Sequence, residues 1–164
     1  MPKITTFVHK IQLLEEYYIW KTINQSYIMF VCETQLRVRY ADTDQMGYAY
    51  YGNYAMYYEV ARTEVFRGFA MPYKKMEDDG IMMPVLENHS YYLAPALYDD
   101  LLTIKVFIKE LPKVTMKFEY EFYNPDGKLI HRGDTLLVFM KTDTRKPCRI
   151  PAYIMDKLRP YFES

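Results

Sequence analysis

At 164 residues the chain has the length of one domain, and a chain of this size buries roughly two-thirds of its unfolded surface, enough for a full core. Its 21 lysines and arginines balance 21 aspartates and glutamates, which excludes a protein-wide field drawing it to nucleic acid or an anionic membrane, so any anionic ligand must be met by a local cluster. Cys32 and Cys148 lie far apart without CxxC or metal-ligand spacing, which suits a reducing cytoplasm and not a disulfide scaffold, and no apolar run approaches the roughly 20 residues of a membrane span.

Residues 4–18 place Ile4, Phe7, Val8, Ile11, Leu14 and Tyr18 at helical spacing, which predicts an amphipathic helix. Lys3 and Lys10 are not followed by a signal-type apolar run, because Glu15 and Glu16 interrupt it. A cytoplasmic location is expected. The first strand pattern starts only after Glu33, with Met29 ahead of it. Residues 1–32 therefore read as a helical N-terminal extension and 33–164 as the domain. A chain beginning at Met29 is expected to fold and keep any activity.

Leu36, Val38 and Tyr40 alternate with Gln35, Arg37 and Arg39, the period-2 signature of a half-buried strand. The stretch RYADTDQMGYAYYGN (Arg39–Asn53) follows, with Asp42, Asp44, Gly47 and Gly52 crowded before helix-forming sequence. Tyr54, Tyr57, Tyr58, Ala61 and Val65 then fall at helical spacing, while Ala55, Met56, Phe66 and Phe69 add apolar area elsewhere, which predicts a helix buried on more than one side. Asn53 is its expected N-cap, Gly68 its stop, and Pro72 prevents resumption. Residues 71–80 read as loop or a short helical turn, with Glu77, Asp78 and Asp79 in solvent.

The remainder is β-rich. Strands are predicted over 83–93, 102–111, 114–122 and 129–141, with a bend at 94–100 broken by Pro95 and a tight turn at Pro112 and Lys113. From Val114 to Phe122 apolar residues hold every even position, and Thr115, Lys117, Glu119 and Glu121 the odd ones, as in an antiparallel strand with one wet face. Asn124, Pro125, Asp126 and Gly127 form a hairpin turn. Pro151 opens a last helix with Ile154, Met155, Leu158 and Phe162 at helical spacing. One long helix followed by antiparallel strands is an α+β two-layer arrangement.

A carboxylate beside a helix start, where backbone N–H donors are unpaired and the dipole is positive, is suited to acyl chemistry. An aspartate before a glycine-containing turn is equally well explained as a local cap of that turn. His9, His89 and His131 are too scattered for a metal site, so no metal is expected. Ser26, Ser90 and Ser164 lie outside any GxSxG motif. His89 and Ser90, as strand neighbours, point to opposite faces. No glycine-rich phosphate loop exists, which leaves Lys113, Arg132, Lys141, Arg145 and Lys146 as candidates to meet phosphates.

The run DTDQMGYAYYGNY with EVARTE, together with YLAPALYDDLL (Tyr92–Leu102) and HRGDTLLVFMKTDTRKPCRIP (His131–Pro151), resembles the hotdog-fold acyl-CoA thioesterases of the 4-hydroxybenzoyl-CoA thioesterase type. The resemblance spans about residue 34 to the C-terminus. It implies a five-stranded antiparallel sheet wrapped around a long central helix, with extra helices at both ends. The implied activity is hydrolysis of an acyl-CoA or acyl-carrier-protein thioester without metal or organic cofactor. Asp44 maps onto the catalytic carboxylate, acting either as nucleophile or as base toward water. Tyr51 maps onto the residue whose backbone N–H faces the thioester carbonyl; the Gly52 N–H and Asn53 are expected to complete the catalytic set beside it, and Tyr54, Lys113 and Arg132 are the substrate-binding candidates. Asp42 is expected to support the turn, and Glu59 and Glu64 are the alternative carboxylates, since another hotdog branch uses an acid on the central helix. Many relatives carry histidine where this chain has Gly52, which speaks against a histidine-assisted mechanism. The family pairs two protomers' sheets side by side with the acyl-CoA between them, so a homodimer is the expected minimal unit and a homotetramer the expected assembly. Two other functions remain open: a non-catalytic acyl-CoA-binding hotdog protein, and a hydroxyacyl-thioester dehydratase, which needs a histidine poised with an acid.

Overall fold

The computed structural model describes residues 29–70 and 73–163. The helix expected over 4–18 lies outside them. In chain order the elements are β1 (Phe30–Arg37), 3-10 turns at Tyr40–Asp42 and Tyr51–Asn53, α1 (Tyr54–Gly68), α2 (Tyr73–Asp78), β2 (Ile81–Met82), β3 (Val85–Tyr92), β4 (Leu101–Ile108), β5 (Thr115–Tyr123), β6 (Leu129–Val138), β7 (Met140–Lys141), α3 (Ala152–Leu158) and a closing 3-10 turn at Arg159–Tyr161. β1 thus opens at Phe30 and ends at Arg37, earlier at both ends than the alternation suggests.

Five strands make one antiparallel sheet in the order β1-β4-β5-β6-β3. Register places Phe122 beside His131 and His131 beside Tyr92, so these three stand in a row on one face. That face is the core: Leu102, Ile104, Val106 and Ile108 of β4 and Met116, Phe118, Tyr120 and Phe122 of β5 are all buried. The intervening residues face solvent, as the period of two requires. The strand expected over 83–93 shortens to β3, while the one expected over 129–141 is interrupted at Phe139 into β6 and β7; β2 and β7 pair with each other outside the main sheet.

α1 lies on the core face with Tyr54, Tyr57, Tyr58, Ala61, Arg62, Val65 and Phe66 buried. This is a single stripe at helical spacing, not the burial on several sides that its apolar content suggests. One sheet covers one side of a helix, so Ala55, Met56 and Val60 remain exposed, while Phe66 belongs to the stripe itself. Each large apolar side chain fully buried there contributes about 1.5–3 kcal/mol. Tyr58 stacks on Tyr120 with centroids 4.4 Å apart.

At the helix–sheet contact Gly133 is required by space: a Cβ on it would stand 1.9 Å from the Tyr58 hydroxyl and 2.7 Å from the His89 carbonyl oxygen. At the hairpin, Asn124 Oδ1 accepts the N–H groups of Asp126 and Lys128, and Gly127 adopts φ +75°. Pro151 sits at the N-cap of α3, one place before the helix, where its carbonyl accepts from Ile154 and Met155. β3 is a sheet edge, and Val85, Leu86, Tyr91 and Tyr92 on it are exposed. Among the described residues no helix is long and apolar enough to cross a membrane.

Candidate active site

The Arg39–Asn53 segment folds as a brace around Asp42. This residue is 2% exposed, and its side chain accepts three hydrogen bonds from Arg39: from the backbone N–H (3.0 Å), Nε (3.2 Å) and Nη2 (2.8 Å). Burial by itself pushes the carboxyl up, but the side-chain and backbone hydrogen bonds of Arg39 outweigh it and hold Asp42 below the ordinary carboxylate value. The Tyr57 hydroxyl adds to this from close by, without reaching regular hydrogen-bond geometry. The backbone carbonyl of Asp42 accepts from the Tyr50 N–H and from Asn53 Nδ2, both at 2.8 Å. One residue therefore ties the Asp44 turn to the start of α1.

Asn53 immediately precedes α1, as expected, but its side chain does not cap the helix. The amide is spent on the Asp42 carbonyl, and the 3-10 turn at Tyr51–Asn53 feeds α1 instead, with the Tyr54 N–H donating to the Tyr51 carbonyl. The N–H groups of Tyr51 and Gly52 stand at the head of this turn, where a helix start leaves donors without intrahelical acceptors.

Asp44 lies between. Its backbone N–H donates to the Tyr48 carbonyl (3.1 Å) and its carbonyl accepts from Gly47 (2.9 Å), which adopts φ +82°. Asp44 Oδ1 accepts the Met46 N–H at 2.8 Å, so the local-cap explanation of this aspartate is satisfied by one oxygen only. Oδ2 has no hydrogen-bond partner among the described residues. The return leg is held by the 94–100 bend: the Ala49 N–H donates to the Ala96 carbonyl, and Tyr48 bridges to Leu97.

Gly52 is matched to its neighbour. A Cβ there would lie 2.6 Å from Cε1 of the Tyr50 ring, which occupies the side chain's place and packs on Tyr51 at 4.5 Å between centroids. Gly52 thus leaves room for the ring of the tyrosine two residues earlier.

The other candidates fall elsewhere. Glu59 is on the exposed side of α1, 3.8 Å from Arg62, and Glu64 pairs with Arg67. Lys113 is exposed between β4 and β5, and Arg132 points to the outer face of β6 beside Glu121 at 3.8 Å. His89 turns outward to Asp134 (3.1 Å) while Ser90 turns inward to Tyr58 (2.8 Å), as strand alternation demands. Tyr54 is buried at the foot of the site and stacks on His131 with centroids 4.0 Å apart.

His131 is the group that sequence reasoning leaves out. It is fully buried; its Nε2 is hydrogen-bonded to the Tyr58 hydroxyl, its Nδ1 has no partner among the described residues, and burial depresses its pKa to about 3. It is therefore a neutral imidazole at physiological pH, held among Tyr54, Tyr92 and Phe122. Its only signal in the sequence is a histidine at an inward position of a strand.

A family model described as the thioesterase-like superfamily matches residues 38–158. The putative acyl-CoA thioesterase YneP of Bacillus subtilis is 30% identical over 119 residues, covering 73% of this chain and 86% of that protein. The 4-hydroxybenzoyl-CoA thioesterase of Pseudomonas sp. (strain CBS-3) is 27% identical, covering 66% and 82%. Among solved structures, the DHNA-CoA thioesterase of Staphylococcus aureus superposes with a TM-score of 0.74 at 32% identity, covering 80% of this chain and 88% of that one.

Proposed function

The chain belongs to the thioesterase-like superfamily as a thioester hydrolase of hotdog fold, and we propose that it cleaves acyl-CoA with Asp44 as the reacting carboxylate and the Tyr51 and Gly52 N–H groups as oxyanion donors. The observation that carries this reading is the Asp42 carbonyl, which binds both Tyr50 N–H and Asn53 Nδ2 and so holds the Asp44 turn against those donors. Asp44 Oδ2, the oxygen left over from the turn, either takes a proton from the attacking water or attacks the thioester carbonyl itself. In either case the carbonyl oxygen gains negative charge, which the two N–H groups and the positive end of the helix stabilise, a contribution of about 2.7–4 kcal/mol per donor in comparable sites. The carbon–sulfur bond then breaks and CoA leaves as the thiolate, which takes back the proton held by Asp44 when water is the nucleophile, or a proton from solvent when Asp44 attacks, in which case water then hydrolyses the Asp44 acyl anhydride and frees the acid. Asp42 and Asn53 act on this chemistry through the backbone they hold.

The relatives' names assign them CoA thioesters, two of them of hydroxylated aromatic acids. The aromatic surroundings of the turn, Tyr50, Tyr51, Tyr54 and Tyr92, suit an aromatic or other apolar acyl group. The exposed β3 edge supports a homodimer formed by pairing of two such edges, with tetramers built from it.

Thiol release measured across aromatic, short and long acyl-CoAs, with wild type beside Asp44→Asn, tests the assignment. A fall of about 10²–10⁴ in kcat is expected for the variant. Undiminished turnover in Asp44→Asn sinks the role given to this residue. Binding of acyl-CoA without turnover by the wild type favours a binding protein, in which Asp44 only caps its turn.

A further inference from the structure

The Tyr92 hydroxyl donates to the backbone carbonyl of Tyr51 at 3.2 Å, from the far end of the edge strand. This carbonyl and the Gly52 N–H belong to one peptide plane and point in opposite directions across it. The same carbonyl also accepts the Tyr54 N–H, so two donors pull on one end of the peptide whose other end is a proposed oxyanion donor. Hydrogen bonds to a carbonyl polarise the N–H across the peptide and fix its direction.

The Tyr92 ring is itself held. It meets Tyr54 edge-on at 5.3 Å, lies 4.9 Å from the buried His131 ring, and meets Tyr51 at 6.5 Å. His131 stacks on Tyr54 and binds the Tyr58 hydroxyl, which also reaches Ser90 on β3. A rigid aromatic wall thus runs from the sheet interior to the Tyr51 carbonyl, and the Tyr92 hydroxyl is its last contact.

We propose that Tyr92 is a positioning residue: its hydroxyl holds the Tyr51–Gly52 peptide in the orientation that aims the Gly52 N–H at the thioester oxygen. The inference rests on the proposed function. Removing the hydroxyl leaves the ring contacts and the Tyr54 N–H bond in place, so the fold does not depend on it, whereas the aim of the peptide does.

The test is steady-state thiol release by Tyr92→Phe and Tyr92→Leu beside wild type and Asp44→Asn, with thermal unfolding of each and binding of a non-hydrolysable thioether analogue of the acyl-CoA. Tyr92→Phe is expected to lower kcat about 3- to 10-fold, the scale of one neutral hydrogen bond realised in the transition state, with KM, analogue binding and melting temperature unchanged. Tyr92→Leu, which also removes the ring, should lower kcat further. An unchanged kcat in Tyr92→Phe, or a raised KM with unchanged kcat, overturns this inference while the Asp44 assignment stands. Full activity of Asp44→Asn, or no turnover by the wild type, overturns the reading of the site and the inference with it.

Discussion

Replacing Asp42 by asparagine keeps the shape of the side chain and removes its charge, which separates the brace from the chemistry. The carboxylate sits on a side chain 3% exposed and takes three hydrogen bonds from Arg39 at 2.8, 3.0 and 3.2 Å. A hydrogen bond to a charged group contributes about 1.5–3 kcal/mol. Asparagine can keep its one acceptor oxygen at the Oδ2 position, so the Nη2 bond is lost to a facing NH₂ and the two bonds that remain lose their charge assistance. The Arg39 side chain is 65% exposed and recovers hydration when released, which discounts the loss. The net cost is about 2–3 kcal/mol, and about 3–4 for Asp42→Ala, which removes all three acceptor contacts and the packing of a buried side chain. At about 3 °C per kcal/mol for a chain of this size, Asp42→Asn should melt about 6–9 °C lower at neutral pH by scanning calorimetry. Because the folded-state value is depressed, this stabilisation is whole above the ordinary value of 3.8 and is lost as pH falls through the lower folded value. The melting curves of variant and wild type should therefore converge in strong acid. Asp44→Asn is the control: its Oδ1 takes a single turn N–H at 2.8 Å, which an amide oxygen reproduces, so stability holds while turnover falls. The reasoning is refuted if Asp42→Asn melts with wild type, or if Asp44→Asn melts as low as Asp42→Asn.

Three further outcomes follow from the packing. With its folded value depressed to about 3 against an ordinary 6.5, His131 leaves the unfolded chain to bind the proton first; its stabilisation is complete above pH 6.5 and declines below it, at up to about 1.4 kcal/mol per pH unit. His131→Gln should flatten that slope in urea titrations between pH 6 and 4, and an unaltered slope contradicts the assignment. Gly133→Ala puts a Cβ 1.9 Å from the Tyr58 hydroxyl and should cost about 3 kcal/mol or more by urea unfolding; adding Tyr58→Phe should recover only part, since a ring carbon remains at 2.5 Å, and a neutral Gly133→Ala would show that α1 does not press on β6 as described. Gly52→Ala, whose Cβ meets the Tyr50 ring at 2.6 Å, should cost about 1 kcal/mol because an exposed tyrosine can swing aside. A Tyr50→Ala background should relieve it, and strict additivity of the two changes in a double-mutant cycle would argue against the pairing.

Much of the scaffold was legible because its causes are local. Alternation over Val114–Phe122 needs only one wet and one dry face, and β5 has them, although Val114 itself is exposed. Asn124 to Gly127 form their turn through bonds among themselves. The Asp44 turn was readable for the same reason: Gly47 at positive φ and an aspartate accepting an N–H two residues on are short-range chemistry. Where local reasoning misjudged, a distant partner had intervened. Asn53 looks like an N-cap from its neighbours alone, but the Asp42 carbonyl, 11 residues away, takes its amide.

By itself the sequence determined the α+β class, the long helix, the hairpin and the carboxylate before the helix start, because periodicity, turn residues and caps act over a few residues. The tertiary structure alone decided which side of α1 is covered, since that depends on a single sheet whose strands are ordered β1-β4-β5-β6-β3. It also decided that Tyr58 meets His131 across 73 residues of chain, that Gly133 must lack a side chain there, and that Tyr92 reaches the Tyr51 carbonyl across 41. Such contacts carry no periodic signature. They arise from register between strands and from the approach of a helix to a sheet, and both are settled only when the whole core packs.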